Sequence, residues 1–190
     1  TSNTIMMTVN PLLPVSITIA ASANTVCAGT TITYTATPVN GGSNPVYQWQ
    51  VNGLNVGSNI PSYSYTPANG DIVTCSLVSD VTCPSGNPAT SNAITMTVNP
   101  LLPVSISIAE SQNNLCEGVS VTYTATPVNG GSNPVYQWQV NGLNTGINSP
   151  TYSYTPLNGD VVTCSLTSDA TCPVGNPATS NTVMMTVNPL

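Results

Sequence analysis

VYQWQVNG, residues 46–53, is the stretch whose reading decides the fold. Tyr47, Trp49 and Val51 fall on one face and Gln48 and Gln50 on the other, the period-2 alternation of a strand with one buried side. Asn52-Gly53 follows immediately. Both residues tolerate positive φ, so the pair reads as a two-residue hairpin turn returning the chain along a short strand over Leu54–Gly57.

Outward from that hairpin the same alternation recurs. Upstream, Thr31–Thr37 (TITYTAT) puts Ile32, Tyr34 and Ala36 on one face, and Val15–Ala21 (VSITIAA) alternates as well. Downstream, Ser62–Thr66 (SYSYT) reads as a strand, Pro67–Gly70 as a turn, and Asp71–Ser79 (DIVTCSLVS) as a strand with Val73, Cys75 and Leu77 inward. Asp80–Ala89 is a loop rich in Pro and Gly, and Asn92–Val98 is a last strand. No segment carries a 3.6-residue period, so no helix is expected.

Seven short strands in about ninety residues, with turns between them, predict an antiparallel β-sandwich of immunoglobulin-like type. Its expected core is Tyr34, Tyr47, Trp49 and Cys75, and in a second copy Tyr123, Tyr136, Trp138 and Cys164. Two departures from that template stand out. Val73 occupies the place of the tyrosine that normally precedes the cysteine by two residues, and Cys27 lies before its strand rather than within it.

The second copy is evident in the chain itself. NPLLPVSI starts at Asn10 and again at Asn99, and NPL returns at Asn188, an offset of 89 residues each time. The same offset carries Cys27 to Cys116, Trp49 to Trp138, Cys75 to Cys164 and Cys83 to Cys172. Most aligned positions are identical, which marks a recent tandem array. Thr1–Val9 aligns with Thr90–Val98 and Thr179–Val187, so residues 1–9 read as the last strand of a preceding repeat. The expected organisation is therefore repeat 1 over 10–98 with its linker at 10–14, repeat 2 over 99–187 with its linker at 99–103, and the start of a further linker at 188–190. A piece of a longer array is implied.

Lys, Arg and His are absent, and six acidic residues give a net charge of −6. Nucleic acid and anionic membrane partners are thereby excluded as expectations, because phosphate binding rests on Lys and Arg. The missing His removes the usual general base, and the missing Lys removes Schiff-base chemistry. With 40% hydrophobic residues, the chain has enough apolar surface to fold, and Thr, Ser, Asn and Gln supply its polar face. No run is long enough to insert into a membrane.

VCAGTTITYTATPVNGG (residues 26–42), YQWQVNG (47–53), NGDIVTCSLVSD (69–80) and PATSNAITMTV (88–98) together resemble the Ig-like and PKD-like tandem repeats of very large Bacteroidota surface proteins. That resemblance spans the whole repeat. It implies export by the type IX route and a role in adhesins or gliding-associated surface filaments.

Three cysteines per repeat cannot all pair within one domain. In a sandwich of this connectivity Cys27 lies at one end and Cys83 at the other, about a strand length apart, beyond the roughly 7 Å between Cα atoms that a disulfide spans. The far end of one repeat faces the near end of the next across a short linker. The leading expectation is thus an inter-repeat staple, Cys27–Cys172, with Cys116 bonding forward, Cys83 backward, and Cys75 and Cys164 left as buried thiols. The alternatives are Cys27–Cys75 with Cys116–Cys164 inside each domain, or Cys75–Cys83. The linkers Asn10–Pro14 and Asn99–Pro103 (NPLLP) carry two prolines and two leucines, which favours a stiff, packed connection over a free tether.

Other candidates have bland readings beside them. Asp71 and Asp160 could join backbone oxygens around Ca²⁺, yet Asp is a common turn residue, and the turn is the expectation; Asp80 and Asp169 read the same way. Tyr34, Tyr47, Tyr63 and Tyr65 could stack on a sugar, although Tyr34 and Tyr47 alternate toward the core. Tyr63 and Tyr65 share one face, and the sequence leaves open which. Met6, Met7, Met96, Met184 and Met185 mark the last strand, where one of two adjacent methionines faces out and could support lateral packing into fibres. Glu110 and Glu117 replace Ala21 and Ala28 between near-identical repeats, which argues against an essential role.

No nucleophile–base pair or metal-ligand spacing exists, so no catalytic residue and no cofactor is expected. The leading reading is a structural repeat of a giant extracellular filament or adhesin stalk whose partners are neighbouring repeats. One alternative is a multivalent module binding glycan or another surface weakly. The other is a short subunit polymerising by strand exchange through residues 1–9.

Overall fold

The structure, a computed structural model, describes residues 3–190. Every regular element among them is a strand. The chain divides into two compact units, Thr1–Asn99 and Pro100–Leu190. Among the described residues no helix is long and apolar enough to cross a membrane.

In the first unit the strands are β1 (Leu13–Pro14), β2 (Ser16–Ala21), β3 (Thr25–Cys27), β4 (Ile32–Val39), β5 (Val46–Val51), β6 (Leu54–Val56), β7 (Ser62–Tyr65), β8 (Ile72–Val78), β9 (Pro84–Ser85), β10 (Ala89–Thr90), β11 (Ile94–Thr95) and β12 (Thr97–Asn99). One sheet has the order β2-β4-β7, and the other runs β10-β8-β5-β6 with β11 also on β8, all antiparallel. Trp49 stands opposite Cys75, and Tyr34 opposite Tyr63.

The alternation foreseen from the sequence is what joins the sheets. Ile17 and Ile19 of β2, Ile32, Tyr34 and Ala36 of β4, Tyr47 and Trp49 of β5, and Val73, Cys75 and Leu77 of β8 point inward and form one buried cluster. Burying a side chain of this size contributes about 1.5–3 kcal/mol, which makes the inward rows the main source of stability. Pro100–Leu190 repeats the plan around Tyr123, Tyr136, Trp138, Val162, Cys164 and Leu166, with sheets 105–110/121–128/151–154 and 143–145/135–140/161–167/178–179.

Three features were not anticipated. The predicted last strand over Asn92–Val98 is reduced to β11 and β12, interrupted at Met96, whose N–H donates to the Asp71 carbonyl at 2.8 Å. Ahead of them, between β10 and β11, the side chain of Asn92 takes over the backbone's role. Its Oδ1 accepts from the Ile19 N–H at 2.9 Å and its Nδ2 donates to the Ile19 carbonyl at 3.1 Å, coupling the chain to β2. Next, β3 pairs in parallel with β12, placing Asn99 opposite Cys27. Finally β1, which the sequence assigned to a linker, pairs in parallel with β9 in the loop that follows β8.

Residues 3–9 align with β11 and β12 in sequence but form no strand. Ile5, Met6, Met7 and Val9 are 81–89% exposed, whereas Met96 and Met185, which align with Met7, are 1% exposed. Thr1 and Ser2 of that predicted strand lie outside the described residues. Met184, the neighbour of Met185, faces out at 65%, so adjacent methionines do take opposite sides.

Candidate functional site

Asp71 is held at a corner. Its Oδ1 accepts from Asn52 Nδ2 at 2.8 Å, and its Oδ2 accepts from the Ala68 N–H at 2.9 Å and the Tyr65 hydroxyl at 3.2 Å. Asn52 in turn accepts from the Ile72 N–H at 2.9 Å. The Asn-Gly hairpin, the turn before β8 and the end of β7 are thus tied to one carboxylate. Burial raises the Asp71 carboxyl, but the bonds from Ala68, Asn52 and Tyr65 outweigh it and hold the group below the usual carboxylate range. Asp160 repeats the arrangement with Asn141, Leu157 and Tyr154. Both oxygens of each carboxylate face N–H and O–H donors, the opposite of what a cation attracts. The donor set is that of a structural corner.

Asp80 locks a second place. It accepts from the Asn44 N–H and Ser43 Oγ, both at 3.1 Å, and joins the β4–β5 loop to the loop after β8. These bonds, the Asn44 amide foremost, lower its pKa, as Asn133 and Ser132 do for Asp169. Gly42, at φ 89°, sits directly beneath the Asp80 carboxylate, and a Cβ there would collide with Oδ1. Among the described residues no group of three or more His, Cys, Asp and Glu converges on a point that could hold a metal ion.

The aromatic residues form a ladder inside each unit. Tyr34 and Trp49 are fully buried, and Trp49 Nε1 donates to the Ile60 carbonyl at 3.0 Å. Tyr63 and Tyr65 share the inward side of β7 and are half-buried, their rings 5.2 Å apart and stacked on Tyr34 and Trp49. None of the ten Tyr and Trp residues is exposed.

The cysteines fall into two classes. Cys27 and Cys172 are disulfide-bonded. Cys75, Cys83, Cys116 and Cys164 are free thiols. The alternative pairings Cys27–Cys75, Cys116–Cys164 and Cys75–Cys83 are therefore absent. The physical reason is placement: Cys75 lies in mid-β8 under Trp49 with no exposure, whereas Cys27 ends β3 at the rim beside Asn99. Burial pushes the Cys75 and Cys164 thiols up to about 11. Both are inert core residues.

Each rim cysteine is tied to an end of an NPLL segment or, for Cys116, to the start of NPL at Asn188. In the first unit the Ala28 N–H donates to the Asn99 carbonyl at 2.9 Å, and the Leu13 N–H donates to the Cys83 carbonyl at 3.0 Å. In the second, the Glu117 N–H donates to the Asn188 carbonyl at 2.9 Å, and the Leu102 N–H donates to the Cys172 carbonyl at 3.0 Å. Cys83 and Cys172 share a left-handed backbone, φ 58° and 61°. Beside Cys116, a cavity of about 260 Å³ is lined by Glu117, Leu157, Asn158, Val187, Asn188 and Pro189.

No family model and no curated protein matches the chain. Solved structures do. A Ca²⁺-stabilized adhesin that helps an Antarctic bacterium reach out and bind ice superposes with a TM-score of 0.52 at 16% identity, over 93% of this chain and 49% of that one. Each unit has an immunoglobulin-like fold. The three N-terminal domains of the bacteriophage RB49 outer capsid protein Hoc give a TM-score of 0.40 at 13% identity, over 91% of this chain and 59% of that one. The fibronectin(III)-like modules of Clostridium thermocellum CbhA give 0.36 at 15%, over 90% and 94%. The chain thus spans roughly half to three-fifths of the adhesin and the capsid protein.

Proposed function

We propose that this chain is a segment of an extracellular, tandemly repeated stalk, with each immunoglobulin-like unit a mechanical bead and a Cys27–Cys172 disulfide stapling one bead to the next. The observation that carries this reading is the tethering of the linker. Cys27 stands opposite Asn99 and Cys172 binds the amide of Leu102, so the two oxidised cysteines hold backbone atoms only three residues apart in sequence. Disulfides persist outside the reducing cytosol, which supports an extracellular setting. The absence of His, Lys and Arg, together with the structural employment of every aspartate, supports a mechanical task. The resemblance to Bacteroidota surface repeats supports export by the type IX route and a place in a giant adhesin or gliding filament.

A staple at these positions shunts force. Tension applied at the two ends passes through the disulfide and bypasses residues 28–171. Pulling single chains by their ends tests this. The oxidised chain should show no unfolding step of domain size. The reduced chain should show two, each releasing on the order of 300 Å for a repeat of 89 residues. Domain-sized steps in the oxidised chain contradict the reading.

A second reading concerns residues 3–9. Their apolar side chains lie in water while the aligned residues of both units are built into sheets. This favours a donor strand that completes the sandwich of another repeat, a preceding one in the array or one in a second chain. A synthetic peptide of residues 1–10 should bind a repeat whose own last strand has been deleted, and fail to bind one that retains it.

A further inference from the structure

We infer that Cys116 and Cys83 are the two halves of a second repeat-to-repeat disulfide, Cys116 bonding the Cys83-type cysteine of a following repeat, so that separate copies of this segment also join end to end through Cys116 of one and Cys83 of the next. The inference rests on the stapled reading and names the partner, a second copy of this chain.

The repeat offset makes the argument. Cys116 is the counterpart of Cys27, and Cys83 the counterpart of Cys172, and in this molecule those counterparts are the oxidised pair. The two positions share their ladder register and their hydrogen bonds to the linker. Cys116 stands opposite Asn188 in a parallel ladder as Cys27 stands opposite Asn99. Cys83 accepts the Leu13 amide from its left-handed position just as Cys172 accepts that of Leu102. Both thiols are reachable, Cys116 exposed and Cys83 half-buried. On the Cys116 side the cavity, lined by Leu157, Val187 and Pro189 as well as Glu117, Asn158 and Asn188, offers a mixed seat, with Leu157 66% exposed. On the Cys83 side Leu12, 70% exposed, offers an apolar knob.

The chemistry needs only a small dialkyl disulfide of the glutathione type as oxidant. The Cys116 thiolate attacks one of its sulfurs and expels a thiolate. The Cys83 thiolate of a second chain then attacks the Cys116 sulfur of the mixed disulfide and expels the other. Two protein thiols are oxidised, one small disulfide is reduced to two thiols, and their two protons pass to the departing thiolates.

The test uses the 190-residue chain, concentrated and incubated with oxidised glutathione, followed by non-reducing electrophoresis and peptic mapping. The expected result is a ladder in steps of the 19.5 kDa chain, with Cys83 linked to Cys116 in the map and the ladder lost in both Cys83→Ser and Cys116→Ser. Cys83–Cys83 or Cys116–Cys116 links, or monomer carrying glutathione on both thiols, overturn it. The same map separates the two readings: with Cys27–Cys172 present and Cys83–Cys116 missing, only this inference fails. With Cys27–Cys172 missing, the stapled stalk fails as well.

Discussion

The side chain of Asn52 and the carboxylate of Asp71, nineteen residues apart, are joined by a 2.8 Å hydrogen bond that ties the hairpin after β5 to the turn before β8. Asp71→Ala removes the acceptor for Asn52, Tyr65 and the Ala68 amide together. The expected loss is about 1.5–3 kcal/mol in the first unit, the range for hydrogen bonds to a charged group, the Tyr65 donor alone being partly buried. Thermal unfolding should register it, and Asp160→Ala should produce the matching loss in the second unit.

Acid and alkali should each weaken the fold, for different groups. Asp71, Asp80 and Asp169 have folded pKa values below their unfolded ones, so their contribution is complete above about pH 4 and is lost as pH falls through the folded values. Cys75 and Cys164 have theirs raised to about 11, so their contribution is complete below about pH 8.5 and is lost as pH rises toward that value. Urea midpoints should therefore be flat from about pH 5 to 8 and fall on both sides. A marked change near pH 6.5 contradicts this, since the chain has no histidine.

Glycine at two turns separates conformational strain from collision. Gly53→Ala meets open space at φ 78° and should cost about 1–2 kcal/mol from the left-handed backbone alone. Gly42→Ala carries the same strain and also drives a methyl into the Asp80 carboxylate. Its melting temperature should fall below that of Gly53→Ala, and equal values would show that the Asp80 lock contributes nothing.

Two separate cores imply two separable transitions. Trp138→Ala should lower the stability of the second unit by about 3–5 kcal/mol and bring its calorimetric peak below that of the first. A single peak that shifts as a whole would contradict the division into two bodies.

The sheets were legible because their determinants are local. Alternation in 46–51 and 32–36 announces a buried face without reference to any partner, and Asn52-Gly53 announces its own turn. What was not legible depends on residues distant in sequence. β3 is three residues long, too short to show a period, and exists because β12 runs beside it. Asn92 separates β10 from β11 by bonding to Ile19, 73 residues away. Tyr63 and Tyr65 share a face by parity, but only the position of β7 beside β4 makes that face the inner one. The role of Asp71 was hidden for the same reason: its three donors come from 52, 65 and 68.

The cysteines show both sides of this. The core position of Cys75 and Cys164 follows from strand parity, whereas the state of Cys27 depends on where β3 ends relative to Asn99. Treated with iodoacetamide, the native chain should alkylate at Cys83 and Cys116 within minutes and at Cys75 and Cys164 only on unfolding.

The central claim is the staple, and a peptic digest made at low pH without reductant tests it most directly, because acid suppresses disulfide exchange. The account predicts one linked peptide pair containing Cys27 and Cys172, lost on reduction. A pair joining Cys27 to Cys75, or Cys27 and Cys172 both recovered as unlinked thiols, would contradict it.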